Sequence, residues 1–239
     1  MNIAVIFAGG VGTRMKSHDI PKQFLKMHGK PIIIHTLELF ERHEQIDYIV
    51  VACIEEWIPT LWDMVKHYHL SKVKLIVPGG LTGQLSIYNG LKAAKTLAGD
   101  GRAVVLIHDG VRPLINEKVI SDNIKSVEAF GSAITSTPVK ETLMIVNEDS
   151  SINYIPSRAH SRIAKAPQSF WLKDIVEIHE QALKDGFDNF IDSCTMMKYY
   201  GKHLYLVDGP NENIKITTPE DFFMMRALID AKEDTQFMI

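Results

Sequence analysis

A chain of 239 residues that is 46% hydrophobic and 23% charged can bury a substantial core without a disulfide or metal staple. Its 26 basic and 29 acidic residues leave a net charge of -3, so a nucleic-acid partner gains no global electrostatic support. No segment approaches the roughly 18 uninterrupted apolar residues of a membrane span. The start Met1-Asn2-Ile3-Ala4-Val5-Ile6-Phe7 has no basic region before its apolar stretch and no small-residue cleavage site after it, which predicts a core strand in a cytoplasmic, unexported protein.

The expected elements follow in chain order. Continuous apolar runs over 3–8, 48–53, 74–77 and 103–108 read as strands covered on both faces, and amphipathic stretches over 31–42, 56–69, 84–97 and 117–130 read as the helices between them. This alternation predicts an α/β fold with a doubly wound, mostly parallel Rossmann-like sheet. A further strand is expected over 132–137. Residues 140–156 then break the pattern, with short β-rich pieces around the turn Asn147-Glu148-Asp149-Ser150, and read as a protruding β-hairpin arm. Helical periodicity returns over 172–184 and 194–200, followed by a strand over 204–207. A last helix is expected near Thr218, with Thr218 as its cap and Pro219 at its first position. The absence of a long linker or internal repeat predicts one domain over 1–239. Cys53 and Cys194 lie in apolar surroundings without C-x-x-C spacing and are expected to be reduced and buried. His67 and His69 are two apart, too poorly aligned on a helix to share a metal, and are expected at a solvated helix end.

The segment richest in chemistry is Ala8-Gly9-Gly10-Val11-Gly12-Thr13-Arg14-Met15, which leads through Pro21 to Lys22-Gln23-Phe24-Leu25. Glycines directly after a first strand let backbone N–H groups approach a phosphate chain without interference from Cβ atoms. The spacing is not that of a P-loop, and Met15 stands where a dinucleotide fingerprint needs its third glycine, so common NTPases and dehydrogenases are disfavoured. Arg14 and Lys22 add two cations suited to the charge that develops as pyrophosphate leaves. Asp109 ends a buried strand where open α/β sheets border their ligand crevice, and a carboxylate there can hold Mg²⁺ against a triphosphate. Arg112 could either position that loop or contact substrate.

The pattern A-G-G-x-G-x-R-M followed by P-K-Q-F-L resembles the opening of the nucleotidyltransferases that make CDP-activated polyols. Four later blocks resemble the same family in the same order: His108-Asp109-Gly110-Val111-Arg112-Pro113, Pro138-Val139-Lys140-Glu141-Thr142, Ala166-Pro167-Gln168-Ser169-Phe170, and Asn213 through Asp221. The family contains the 2-C-methyl-D-erythritol 4-phosphate cytidylyltransferases of isoprenoid synthesis and the ribitol-5-phosphate cytidylyltransferases that serve cell-wall or capsule polymers. The resemblance implies a cytidylyltransferase that uses CTP and Mg²⁺. Arg14, Lys22 and Lys215 would be catalytic. Ala8, Gly9, Gly10, Gly12, Gly80, Thr82, Gly83, Ser86 and Asp109 would hold the nucleotide. Arg112, Thr142, Arg158 and Lys215 would hold the phosphorylated polyol. Arg158 stands eight residues before Ala166, the family's spacing for its substrate arginine, and Arg162 is a competitor that this spacing does not support. The arm would also pack against a second subunit, giving a homodimer with sites completed across the interface.

Two departures from the family pattern bear on specificity. The loop Pro78-Gly79-Gly80-Leu81-Thr82-Gly83-Gln84-Leu85-Ser86 resembles the family's cytosine loop but has Gly83 where many members carry arginine. Its backbone and Ser86 could read the base, or Ser86 could simply cap the following helix. Phe190-Ile191-Asp192-Ser193-Cys194 and the Ser-Phe ending of Ala166-Pro167-Gln168-Ser169-Phe170 resemble the ribitol-phosphate enzymes more than the methylerythritol enzymes. The expected acceptor is therefore D-ribitol 5-phosphate. The alternatives are methylerythritol 4-phosphate and, from a different class, a non-catalytic nucleotide-binding module.

Overall fold

The structure, a computed structural model, describes residues 1–9 and 20–236. Strand β1 (Asn2–Ala8) is followed by a short 3-10 turn, Lys22–Phe24, and a two-stranded ribbon of β2 (Lys26–Met27) and β3 (Lys30–Pro31). Next come α1 (Ile32–Arg42), β4 (Tyr48–Cys53), α2 (Ile58–His67), β5 (Val73–Pro78), α3 (Gly83–Ala98), β6 (Val104–Asp109), α4 (Glu117–Phe130) and β7 (Ser132–Pro138). The hairpin β8 (Ile145–Val146) and β9 (Ile152–Tyr154) precedes β10 (Arg162–Trp171), α5 (Leu172–Lys184), α6 (Ser193–Tyr199), β11 (Leu206–Asp208) and α7 (Pro219–Gln236).

The main sheet has the order β11-β7-β10-β6-β1-β4-β5. It is parallel except at β10, which runs antiparallel to both β6 and β7. Alternation along the strands sends side chains to two separate cores. Ala4 and Ile6 of β1 join Ile33, Leu37, Leu61 and Ile120 of α1, α2 and α4 on one face. Ile3 and Val5 join Ile87, Leu91, Ile175 and Met196 of α3, α5 and α6 on the other. A third cluster, with Ile216 and Met225 against Met27, Ile32 and Val111, anchors the start of α7 beside α1.

Most of the expected elements are present, with ends shifted by one or two residues. Strand β10 is the main departure: Arg162–Trp171 carries Pro167 and mixes polar with apolar residues, so it lacks the continuous apolar signature of its neighbours. Its pairing with β7 shifts between Ala164 and Gln168, where the Ala166–Pro167 peptide is cis. Pro219 is the first residue of α7, as expected, and the Asp221 carboxylate closes this terminus by accepting from the Thr217 and Thr218 amides at 2.8 Å. Cys53 is buried, but Cys194 is only partly so because it lies at the open start of α6; desolvation pushes both thiols up to about 12, away from nucleophilic chemistry. The 140–156 arm contains the β8–β9 hairpin and leaves Met144, Val146, Ile152, Tyr154 and Ile155 exposed.

Candidate active site

The carboxyl ends of β1, β5 and β6 bring two glycine loops and one carboxylate together. Gly9 continues from β1, and a Cβ there would lie 2.8 Å from Ser86 Oγ; one on Gly79 would lie 3.2 Å from the Gly9 Cα, and one on Gly80 only 2.4 Å from Leu85 Cβ. The two loops therefore touch in a way that larger residues would prevent. Ser86 does not cap α3. That role belongs to Thr82, whose Oγ1 accepts from the Leu85 amide at 3.1 Å and donates to the Asp188 carbonyl at 2.5 Å. Ser86 lies within the first helical turn, and its Oγ accepts from the Gly80 amide at 3.0 Å and donates to the Thr82 carbonyl at 2.9 Å, fixing the loop that approaches Gly9. Gln23 Nε2 donates to the Ala8 carbonyl at 2.7 Å, which ties the turn carrying Lys22 to the end of β1. Gly10, Gly12 and Arg14 lie outside the described residues.

Asp109, the last residue of β6, is 5% exposed and carries two cations. Its Oδ2 accepts from Arg112 Nε at 2.8 Å, and its Oδ1 pairs with Lys215 Nζ at 2.6 Å. Burial alone would raise its pKa, but the Lys215 and Arg112 charges outweigh it and hold the carboxyl down at about 2. Arg112 also donates from Nη1 to the Asn213 carbonyl at 3.0 Å, joining the β6 loop to the chain that leads to Lys215. Its guanidinium thus holds the loop in place, and it also borders the cavity described below. Next to it, Lys165 Nζ donates to the Asn211 and Asn213 carbonyls at 3.2 and 3.1 Å; burial lowers its pKa, and the Arg112 charge acts in the same direction. Lys165 was not expected from sequence, because the strand that carries it was not.

These charges border a cavity of about 370 Å³ whose walls come from β1, β6, β10, α3, α5 and α6. Asp109, Arg112, Lys165 and Lys215 line one part of it. Gln168 organises another: its Nε2 donates to Asp192 Oδ2 at 3.1 Å, and its Oε1 accepts from the Cys194 amide at 2.8 Å. Asp192 caps α6 by accepting from the Thr195 amide at 2.8 Å. Gln84 clamps the approaching loop, donating to the Phe187 carbonyl at 2.9 Å and accepting from the Phe190 amide at 2.7 Å. Gly83 borders the cavity with open space around the position of a Cβ.

Two expected substrate residues are not brought to this cavity within the chain. Thr142 is exposed on the arm, and Arg158, also exposed, donates from Nη1 to the Lys140 carbonyl at 3.4 Å. Arg162, the competitor of Arg158, is tied to Ser136 and paired with Asp208. His179 and Ser193 are lining residues that sequence reasoning missed. A signal for His179 existed: it stands seven residues after Leu172 and four after Ile175, in the buried register of α5.

No group of three or more His, Cys, Asp or Glu side chains able to share a metal occurs among the described residues. Asp109 nevertheless suits a hard cation, because its carboxylate is ionised at neutral pH and Mg²⁺ commonly takes one or two carboxylates with substrate phosphates completing its shell.

Residues 2–231 match the family model of IspD, 2-C-methyl-D-erythritol 4-phosphate cytidylyltransferase. The chain belongs to this family. Among its relatives, the ribitol-5-phosphate cytidylyltransferase of Streptococcus agalactiae serotype III (strain NEM316) is 55% identical over 99% of this chain and 98% of its own. The enzyme of that name from Vibrio parahaemolyticus serotype O3:K6 is 51% identical over 99% of both chains. Among solved structures, 4-diphosphocytidyl-2C-methyl-D-erythritol synthase from Anaerococcus prevotii superposes with a TM-score of 0.83 at 28% identity, covering 96% of each chain. The IspD-family chain is accordingly a cytidylyltransferase with the mostly parallel, helix-flanked sheet of those enzymes. No helix among the described residues is long and apolar enough to cross a membrane.

Proposed function

We propose that this enzyme transfers the cytidylyl group of CTP to D-ribitol 5-phosphate, giving CDP-ribitol and pyrophosphate. The observation that carries the reading is the Asp109, Arg112 and Lys215 cluster between touching glycine loops and a polyol-sized cavity, in a chain 55% identical to a ribitol-5-phosphate cytidylyltransferase.

In this reading an oxygen of the acceptor phosphate attacks the α-phosphorus of CTP in line with the departing pyrophosphate. One phosphorus–oxygen bond forms and the bond to the β-phosphate breaks, with its electron pair leaving on pyrophosphate. No covalent enzyme intermediate is needed, and catalysis rests on positioning and charge. Ala8, Gly9, Gly10 and Gly12 wrap the triphosphate, while Gly80, Thr82, Gly83 and Ser86 shape the base site. Arg14, Lys22 and Lys215 meet the charge of the transition state. Asp109 would hold Mg²⁺, which would neutralise charge on the phosphates. Arg112 keeps Asp109 and the Asn213 segment in place, and Lys165 adds a cation on the acceptor side.

Thr142 and Arg158 reach the acceptor across a homodimer interface. The support for this is that neither residue lines the chain's own cavity and that the arm exposes Met144, Val146, Ile152 and Tyr154, while an isolated two-stranded hairpin is only marginally stable in water. One domain spanning 1–239, with the arm as its appendage, is enough for this arrangement.

The experiment is direct: incubate the purified enzyme with Mg²⁺, ribitol 5-phosphate and either CTP, UTP or ATP, and quantify nucleotide-alditol and pyrophosphate. The reading expects equal amounts of CDP-ribitol and pyrophosphate with CTP and little product with the other nucleotides. CTP binding without pyrophosphate release from any alditol phosphate would instead make the chain a nucleotide-binding module.

A further inference from the structure

The cavity has two chemically different parts. Charge is gathered at Asp109, Arg112, Lys165 and Lys215, beside the nucleotide loops. Away from them, beneath α3, α5 and α6, the wall is formed by Ile87, Ile107 and Met196, which are 5%, 2% and 1% exposed. Polar side chains interrupt this apolar wall: Gln84, Gln168 and Asp192 use their hydrogen bonds on Phe187, Phe190, Cys194, Thr195 and one another, whereas His179 and Ser193 do not. His179 is 1% exposed, and neither ring nitrogen has a hydrogen-bond partner among the described residues. Ser193 is 3% exposed, and its hydroxyl likewise has none. Buried polar groups are nearly always satisfied, because leaving one unmade costs the full desolvation of that group, so two on one cavity wall call for a bound partner.

The chemistry of the pair identifies that partner. Burial holds the His179 imidazole down at about 4, so at neutral pH it is uncharged and offers one donor and one acceptor. The ring is held against Tyr88, stacked at 5.5 Å between centroids, which limits how it can turn. A neutral imidazole and a hydroxyl in an apolar wall match neutral hydroxyl groups and are poorly suited to a phosphate, which finds its cations at the other part of the cavity. The sheet order agrees: the glycine loops follow β1 and β5, on one side of Asp109, while β10, α5 and α6 wall the cavity on the other side. At about 370 Å³ the space lies within the range of small-ligand sites.

We infer that His179 and Ser193 are the hydrogen-bond partners of the distal hydroxyls of the acceptor alditol. The phosphate stays beside Lys215 and Lys165, the carbon chain runs inward, and the polar pair reads its far end. This assignment rests on the proposed alditol phosphate acceptor and extends it to the residues that select chain length.

The test compares Ser193→Ala and His179→Leu with the wild-type enzyme by steady-state kinetics and by thermal melting without ligand. Expected is a KM for ribitol 5-phosphate raised on the order of 10-fold in each variant, with the KM for CTP within about twofold and a melting temperature equal to or above wild type, because an unsatisfied buried group has been removed. A structural role would show the reverse, with a lowered melting temperature and an unchanged acceptor KM, and would overturn the assignment. Ser193→Ala removes a single oxygen whose loss leaves no donor unpaired within the protein, so it decides the matter if the His179 variant does not fold. A wild-type enzyme that ignores ribitol 5-phosphate but uses another alditol phosphate would defeat the proposed acceptor, and that outcome is seen before any variant is made.

Discussion

Asp109→Asn removes the charge on which Arg112 and Lys215 converge while keeping the shape of the side chain. The carboxyl is held at about 2 against an ordinary 3.8, a gap which, at about 1.4 kcal/mol per pH unit, corresponds to about 2.5 kcal/mol of preference for the ionised form in the fold. Lys215 is 41% exposed, so solvent screens part of its share, whereas Arg112 is 13% exposed and screened less. The variant is therefore expected to lose about 2 kcal/mol of stability at pH 7, read by urea unfolding, and turnover should fall by about 100-fold or more as the cations lose their register. Because the folded pKa is depressed, the stabilisation is complete above about pH 4 and is lost as the pH falls toward 2. The gap between wild type and variant should shrink over that interval. A loss below about 0.5 kcal/mol at pH 7, or a gap independent of pH between 4 and 2, would refute the idea that the Asp109 charge organises this cluster.

Gly80→Ala places a methyl group 2.4 Å from Leu85 Cβ, so it should cost about 1 to 3 kcal/mol and raise the KM for CTP, whereas Gly83→Ala, with open space around it, should not lower the melting temperature; melting curves and CTP titrations check both. Lys22→Ala should lower the rate of pyrophosphate release on the order of 10²- to 10³-fold with the fold intact by circular dichroism. If arms complete sites across a dimer, inactive Arg158→Ala and Lys215→Ala chains refolded together should recover roughly a quarter of wild-type activity, since half of the random dimers then hold one intact site. No recovery in that mixture would mean that each arm serves its own chain.

The parallel strands were legible because burial on both faces forces near-continuous apolar runs, as in Ile3 to Phe7 and Val104 to Ile107, and Asp109 stood out as a charge at the end of one. Strand β10 was not legible. Arg162, Lys165 and Gln168 point into specific hydrogen bonds rather than into a core, and Pro167 sits at a register shift, so neither periodicity nor propensity marks the element. Lys165 was lost with it. Ser86 was the candidate cap of α3, but its hydroxyl is engaged by the Gly80 amide and the Thr82 carbonyl, and Thr82 takes the capping role, a choice set by where Gly80 and Asp188 lie in space. Lys215 was tied to the phosphate site by motif alone, and its contact with Asp109 spans 106 positions in sequence, a pairing that local patterns do not encode. The arm's hairpin was readable from its turn, but no local pattern tells which cavity Thr142 and Arg158 serve.

A one-pot competition bears most directly on the account. Equal concentrations of ribitol 5-phosphate and 2-C-methyl-D-erythritol 4-phosphate share limiting CTP and Mg²⁺, and the two CDP products are separated and counted by mass spectrometry. CDP-ribitol is expected to dominate by at least 10-fold, the discrimination that about 1.4 kcal/mol of differential transition-state binding provides. A product mixture dominated by the methylerythritol derivative would contradict it.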